Sequence, residues 1–159
     1  MSALATVPQV ELQTMTQAWL DEVAGIEKRA YTHPWSRGNF SDSLRAGYHA
    51  QVLTQEQAVL GYHVLMLSPG EAHLLNITVD PQQQGRGLAL IMLNALAQWS
   101  QAQGAQSLWL EVRVGNARAR QIYERYGFKP VGLRKNYYPL APFKREDAVV
   151  MSLPLSELP

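Results

Sequence analysis

A glycine-containing turn is the first feature of the sequence whose residue types and spacing could do chemistry. Gln84-Gly85-Arg86-Gly87-Leu88-Ala89 follows a predicted strand and leads into a predicted helix. Backbone N–H groups at such a helix start are free, and a glycine leaves room for a phosphate to reach them. The P-loop ending in Gly-Lys-Ser/Thr is absent, and Leu90 stands where a dinucleotide fingerprint needs glycine or alanine. The turn therefore predicts a Gln-x-x-Gly-x-Ala phosphate site, with an ordinary glutamine-rich turn as the alternative.

A second pattern follows after one more predicted strand. Residues 116–128 read Asn-x-x-Ala-x-x-x-Tyr-x-x-x-Gly-Phe. The structural interpretation is a short core helix that Asn116 caps, with Ile122 and Tyr126 as packing residues. Tyr123 lies one position from Ile122, so its hydroxyl can point elsewhere and be used. The ordered pair of patterns, strand–loop–helix–strand–helix, is more specific than either half alone.

An acid in the middle of a predicted central strand is the candidate general base. The strand Ser107–Arg113 alternates, and Glu111 falls on its less apolar side. A carboxylate there can accept a proton from a substrate. The structural alternative is a cross-strand ion pair with a base such as Arg113.

Metal and thiol chemistry find no support in the sequence. The chain has no cysteine, which excludes a thiolate nucleophile, a zinc–thiolate site and a disulfide scaffold. The four histidines follow no ligand spacing, so structural or surface roles are expected for His33, His49, His63 and His73 and no metal is expected.

Composition and charge limit the class of protein. The chain has 159 residues, a length typical of one domain, and 47% of them are hydrophobic, which excludes a disordered protein. No apolar run is long enough to cross a membrane, and no signal peptide is visible in residues 1–7, so a cytoplasmic location is expected. The net charge of +1 conceals a basic region at 113–145, with nine Lys and Arg against one acid. That region indicates an anionic partner or a solvated helix face.

The elements that must position these residues form a mixed α/β pattern. Apolar periodicity predicts helices over 15–30, 36–46, 88–103 and 117–126, and alternation or short apolar runs predict strands over 48–54, 58–67, 71–79, 107–113 and 148–153. A loop rich in Tyr, Pro and basic residues is expected before the last strand. The predicted fold class is α/β: a mixed central sheet with an antiparallel N-terminal meander and a C-terminal strand–helix–strand–helix–strand unit.

Together these features resemble the GNAT family of N-acetyltransferases, over nearly the whole chain from the helix near Trp19 to Leu153. The resemblance is most specific to the branch that acetylates the N-terminal amine of a small-subunit ribosomal protein. It rests on five stretches outside the cofactor loop: His33-Pro34-Trp35-Ser36, Asn76-Ile77-Thr78-Val79-Asp80-Pro81, Leu108-Trp109-Leu110-Glu111-Val112-Arg113, Asn136-Tyr137-Tyr138-Pro139 and Arg145-Glu146-Asp147-Ala148.

The resemblance implies a role for each matched residue. Glu111 would be the base and Tyr123 the acid, with Tyr137 and Tyr138 as rivals for the acid that the resemblance places on the substrate side. The family's cofactor loop allows alanine at the position of Ala89. Gly115 and residues 140–143 depart from the family pattern, and these departures bear on which acceptor peptide is preferred. Acetyl-CoA would be held by the main chain of Ile77, Thr78 and Val79, by the pyrophosphate loop Gly85, Arg86, Gly87, Leu88, Ala89 and Leu90, and by Asn116.

The resulting expectation is one N-acetyltransferase domain over residues 1–159. It would transfer acetyl from acetyl-CoA to the N-terminal peptide of a small-subunit ribosomal protein by direct attack in a ternary complex. Neither a membrane nor direct nucleic-acid binding would be required. Two alternatives stay open: a GNAT enzyme acting on a small-molecule amine or a lysine side chain, and a non-catalytic CoA-binding or ribosome-binding module that uses region 113–145 as an RNA patch.

Overall fold

The computed structural model describes residues 9–158, and the strands in that range form one seven-stranded sheet. Residues 1–7, where no signal peptide is expected, lie outside the described range. The strands are β1 (Glu11–Thr14), β2 (His49–Gln55), β3 (Ala58–Ser68), β4 (Glu71–Val79), β5 (Ser107–Arg113), β6 (Lys129–Ala141) and β7 (Lys144–Pro154). The helices are α1 (Leu20–Ala30), α2 (Arg37–Arg45), α3 (Leu88–Ala102) and α4 (Ala117–Tyr126).

The strand order is β1-β2-β3-β4-β5-β7-β6, which confirms the predicted α/β class and mixed sheet. Strands β1 to β4 form an antiparallel meander, β4 pairs with β5 in parallel, and β7 lies between β5 and β6. A parallel pair needs a crossover, and α3 supplies it. The beginning of α3 is thereby placed at the end of β4.

Two apolar layers cover opposite faces of the sheet. Helices α1 and α2 bury Leu20, Val23 and Phe40 against β2 and β3. Helix α3 buries Leu93 and Leu96 on the other face, where the inward residues of β5 also lie and α4 packs. The alternation expected for β5 is present, so its outward residues, Glu111 among them, face away from α3.

Strands β4 and β5 separate halfway along their length. Their parallel pairing covers only Glu71 to Leu74 on β4 and Ser107 to Leu110 on β5. A register shift in β4 follows at once, between the residues that pair with Val64 and Leu65 of β3. Beyond it, 76–79 still pair with β3 on one side, and among the described strands nothing pairs with them on the other. A cleft therefore opens between the ends of β4 and β5.

The long C-terminal hairpin differs from the prediction, because the expected loop is strand β6 and the first part of β7. Its prolines and basic residues hide the alternation, and the pairing with β7 is interrupted by register shifts beside Pro130 and Pro139. Proline is tolerated at such irregularities of an edge strand because a missing N–H there breaks no ladder. Asn136, with φ of 53°, marks another irregular position.

Two smaller differences lie at the beginning of the described chain. The helix predicted from 15 begins at Leu20, after a 3-10 turn over Gln17–Trp19. Met15 instead extends the pairing of β1, a strand that the sequence did not predict, by donating its N–H to the Ala50 carbonyl at 2.9 Å. Met15 is buried all the same, so tertiary packing, and not a helical turn, produces the apolar periodicity there.

Candidate functional site

A cavity of about 850 Å³ occupies the cleft between β4 and β5. Its two sides differ in origin. The loop side consists of residues 77–79 of β4 and of 83–85 and 87–90 at the beginning of α3. The hairpin side consists of Glu111, Arg113, Tyr138 and Glu146, from β5, β6 and β7. Asn116 and Tyr123 of the α4 segment line the cavity as well.

The loop side presents open backbone at the start of α3. Gly87 is the N-cap residue of this helix, with φ of +74°, and Gly85 has φ of +83°. A Cβ atom built on either glycine would have no protein atom within 4 Å, so both face open space. The first N–H groups of a helix have no partner within it. The turn can therefore receive an anion on its backbone, as its sequence predicts.

Arg86 is the member of the predicted loop set that does not line the cavity. Its guanidinium donates to Gln83 at 2.7 Å and to Gln55 at 3.2 Å. A different arginine, Arg118 of α4, does line the cavity and donates to Gln84 of the loop at 2.9 Å. From the sequence, Arg118 was counted only as part of the basic region, although its place as the second residue of a capped helix was a usable signal.

Alternate side chains at the end of β4 form a hydrogen-bonded chain toward α1. The Tyr31 hydroxyl, just after α1, donates to the Ile77 carbonyl at 3.3 Å and lies 2.7 Å from the Thr78 hydroxyl. Thr78 in turn donates to Asn76, whose amide donates to the buried carboxylate of Glu27. Burial raises the pKa of Tyr31 to about 12. This hydrogen-bonded chain holds the position of the strand edge formed by 77–79.

Asn116 and Tyr123 lie where the α4 pattern predicts. The Asn116 side chain accepts from the Ala119 N–H at 3.2 Å and so caps the helix at the cavity wall. The Tyr123 ring packs edge-on against Phe128, and burial raises the pKa of Tyr123 above its ordinary value. Its hydroxyl has no hydrogen-bond partner within residues 9–158. It therefore keeps its proton at neutral pH and can donate it to a group in the cavity.

Glu111 is the carboxylate at the apex of the cleft, and its side chain is only 8% exposed. One oxygen, Oε2, lies 2.5 Å from His73 Nε2, and the other lies 3.3 Å from Arg134 Nε. Arg113, the alternative ion-pair partner considered from the sequence, contacts Glu146 instead, at 3.1 Å. His73 could not be placed beside Glu111 from the sequence, because the contact depends on the β4–β5 register, which no local pattern reveals.

The rest of the hairpin side is a second charged group. Arg113 also donates to the Pro139 carbonyl at 2.9 Å, and its guanidinium lies 4.5 Å from the centre of the Tyr138 ring. Glu146 accepts from the Gly115 N–H at 2.9 Å. Burial, with a smaller contribution from the charge of Glu111, raises the pKa of Tyr138. These contacts fix the hairpin against β5 and shape the open end of the cavity.

Metal and membrane features can be stated for the described residues only. Within 9–158, no three His, Asp or Glu side chains lie together in an arrangement that could hold a metal ion. No helix in that range combines the length and apolarity needed to cross a membrane.

Known acetyltransferases are similar to this chain in sequence. Residues 20–128 match the model of the acetyltransferase (GNAT) family. A [ribosomal protein bS18]-alanine N-acetyltransferase of Haemophilus ducreyi is 35% identical over 142 residues, covering 89% of this chain and 98% of that protein. Its namesake in Escherichia coli K12 is 40% identical over 131 residues, covering 82% and 88%.

Solved structures agree with the sequence comparison. The crystal structure of the ribosomal-protein-S18-alanine N-acetyltransferase from Escherichia coli superposes with a TM-score of 0.85 at 35% identity, covering 92% of this chain and 94% of that one. Ard1 from Thermoplasma volcanium has the same fold, with a TM-score of 0.81 at 24% identity. The family match over most of the chain and the identity to these relatives have one consequence: the chain belongs to the GNAT family of acetyltransferases.

Proposed function

We propose that this chain, as one N-acetyltransferase domain over residues 1–159, transfers acetyl from acetyl-CoA to the N-terminal amine of ribosomal protein bS18. The observation that carries the proposal is the 35–40% identity, over most of both chains, to the enzymes of that name. The cavity adds physical support, because it places open backbone on one side and a carboxylate on the other. A ribosomal-protein acceptor makes the cytoplasm the expected location.

The loop side fits the cofactor. The N–H groups from Gly85 to Leu90 would hold the pyrophosphate at the start of α3, where the helix dipole favours negative charge. Arg118 adds a cation beside this loop. The free edge of 77–79 would form hydrogen bonds with the pantetheine arm. Asn116, at the start of α4, would contact the cofactor. Bound there, acetyl-CoA supplies a thioester whose carbonyl carbon accepts the amine.

The hairpin side fits the acceptor amine. A protein N-terminus has a pKa of about 7.7–8.0, so it enters mostly as an unreactive ammonium at neutral pH. Glu111, at the apex of the cleft, would take one proton, directly or through one water. The free amine then attacks the thioester carbon and the carbon–sulfur bond breaks. Tyr123 would give its proton to the leaving sulfur and recover one from the attacking nitrogen, which must lose its second proton to become the amide N–H. The chain has no cysteine, so an acyl-cysteine intermediate cannot form, and the amine would attack acetyl-CoA directly.

Intact-mass spectrometry tests the proposal. The protein is incubated with acetyl-CoA and either the N-terminal peptide of bS18 or a copy whose N-terminus is blocked and which contains a lysine. The proposal expects one acetyl group on the first peptide and none on the second. Acetylation of the blocked peptide would show a lysine acetyltransferase. Binding of CoA with no acetylation of either peptide would favour a non-catalytic module.

A further inference from the structure

The partners of Glu111 suggest a function for a histidine that the sequence left without one. Among the described residues, His73 at Oε2 and Arg134 at Oε1 are the groups that hydrogen-bond or pair with this carboxylate. Of the four histidines, His73 is the one in contact with a proposed catalytic group. The side chain of His73 is 24% exposed, three times the exposure of Glu111. Protons can therefore reach this imidazole from solvent.

His73 and Glu111 lie close together on the neighbouring strands β4 and β5. His73 is the register partner of Trp109, and the parallel pairing ends one residue later. Glu111 is thus the first residue of β5 beyond the paired segment, and it lines the cavity, whereas His73 does not. His73 therefore contacts the cavity through Glu111 and not with its own side chain.

We propose that His73 is a positioning residue for Glu111, holding Oε2 through its Nε2–H while Arg134 pairs with Oε1. The inference rests on the proposed function, in which Glu111 receives a proton from the acceptor ammonium. A carboxylate held at both oxygens keeps one orientation toward the cavity, so loss of the His73 contact should slow the chemical step.

Two substitutions test the hydrogen bond. His73→Gln keeps an N–H donor, whereas His73→Leu has none. His73→Leu should lower kcat about tenfold, the value of one hydrogen bond to a charged group, with an unchanged KM for acetyl-CoA. His73→Gln should recover most of that loss. His49→Gln, in a histidine that stacks on Trp99 and does not line the cavity, is the matched control.

Rescue by the conservative variant decides the proposal. His73→Leu should lower kcat at an unchanged KM for acetyl-CoA, and His73→Gln should recover most of the loss, whereas His49→Gln should match the wild type. An equal loss of kcat in His73→Leu and His73→Gln, or no loss in His73→Leu, overturns the proposal, with or without a change in melting temperature.

A spectroscopic measurement needs no acceptor and so separates this inference from the proposed function. Two-bond ¹H–¹⁵N correlation spectra of the free enzyme at pH 8.5 should show His73 as the Nε2–H tautomer, because Nε2 faces the carboxylate. In Glu111→Gln this preference should be lost. An Nδ1–H tautomer in the wild type, or the same tautomer mixture in both proteins, overturns the positioning contact even if the peptide is acetylated.

Discussion

The two sides of the cavity use different parts of the polypeptide. The loop side offers main-chain groups of 77–79 and of the turn before α3, and its two glycines face open space. The hairpin side offers charged side chains that already have partners: Glu111 contacts Arg134 and, on β4, His73, and Arg113 contacts Glu146. The loop side is therefore sensitive to added volume, whereas the hairpin side is sensitive to a change of charge or of proton position.

Tyr123, between the two sides, should give the largest effect on the chemical step. Tyr123→Phe keeps the ring that packs on Phe128 and removes only the proton for the leaving sulfur. We expect kcat to fall about 10²-fold or more, with little change in the KM for acetyl-CoA. Tyr126→Phe is the matched control, since its hydroxyl bonds Asn94 outside the cavity. A loss in kcat below about threefold for Tyr123→Phe would assign the proton to Tyr137, Tyr138 or water.

Glu111→Gln tests the hairpin side by removing a basic oxygen at constant shape. The expected loss in kcat/KM for the peptide is on the order of 10²-fold near neutral pH. The deficit should shrink as the pH approaches and passes about 8, because solution then supplies the free amine. The measurement is kcat/KM from pH 6 to 9.5 with melting temperatures. Parallel pH curves, or a joint loss of stability and activity, would make Glu111 structural.

Gly87→Val tests the loop side by adding volume. No protein atom obstructs the new side chain, so it would occupy the space through which phosphate oxygens reach the backbone. Losing one charge-assisted hydrogen bond should weaken acetyl-CoA binding roughly tenfold or more in a calorimetric titration. Gly104→Val, at the other end of α3 with φ of +88°, has the same backbone strain in equally open space. Equal affinities in these two variants would remove the pyrophosphate assignment.

The smallest effect is expected for Glu146→Gln, which weakens the contacts to Arg113 and the Gly115 N–H while preserving shape. The hairpin should then hold the peptide less well, and the peptide KM should rise about three- to tenfold, the value of one or two hydrogen bonds. Glu124→Gln, in an exposed pair 4.0 Å from Arg120, is the control. If acetyl-CoA affinity changes by the same factor as the peptide KM, the two sides are not independent.

The loop side could be predicted from the sequence because its geometry is local. Gly85 and Gly87 adopt left-handed φ values that favour glycine, and Asn116 caps the next helix with its own side chain. Each of these signals lies within a few residues of the backbone that it shapes. The Arg86 side chain is an exception. It points away from the cavity to Gln55 of β2, a residue distant in sequence, and so no local signal predicts its direction.

The hairpin side could not be predicted in the same way. The sequence identified Glu111 as an acid on the outward face of β5, but its assigned alternative partner, Arg113, bonds Glu146. Strand β6 was read as a loop, because its prolines and register shifts remove the alternation that marks a strand. Arg134 consequently had no predicted place beside Glu111.

By itself the sequence determined the class of fold, the order of most elements, the open turn before α3 and the free hydroxyl of Tyr123, since each depends on periodicity, capping or glycine conformation over a few residues. Only the tertiary structure decided which charges meet at the cleft. The contact between His73 and Glu111 needs the parallel register of β4 and β5, and it forms where that pairing stops. Register joins residues distant along the chain, and no local pattern encodes it.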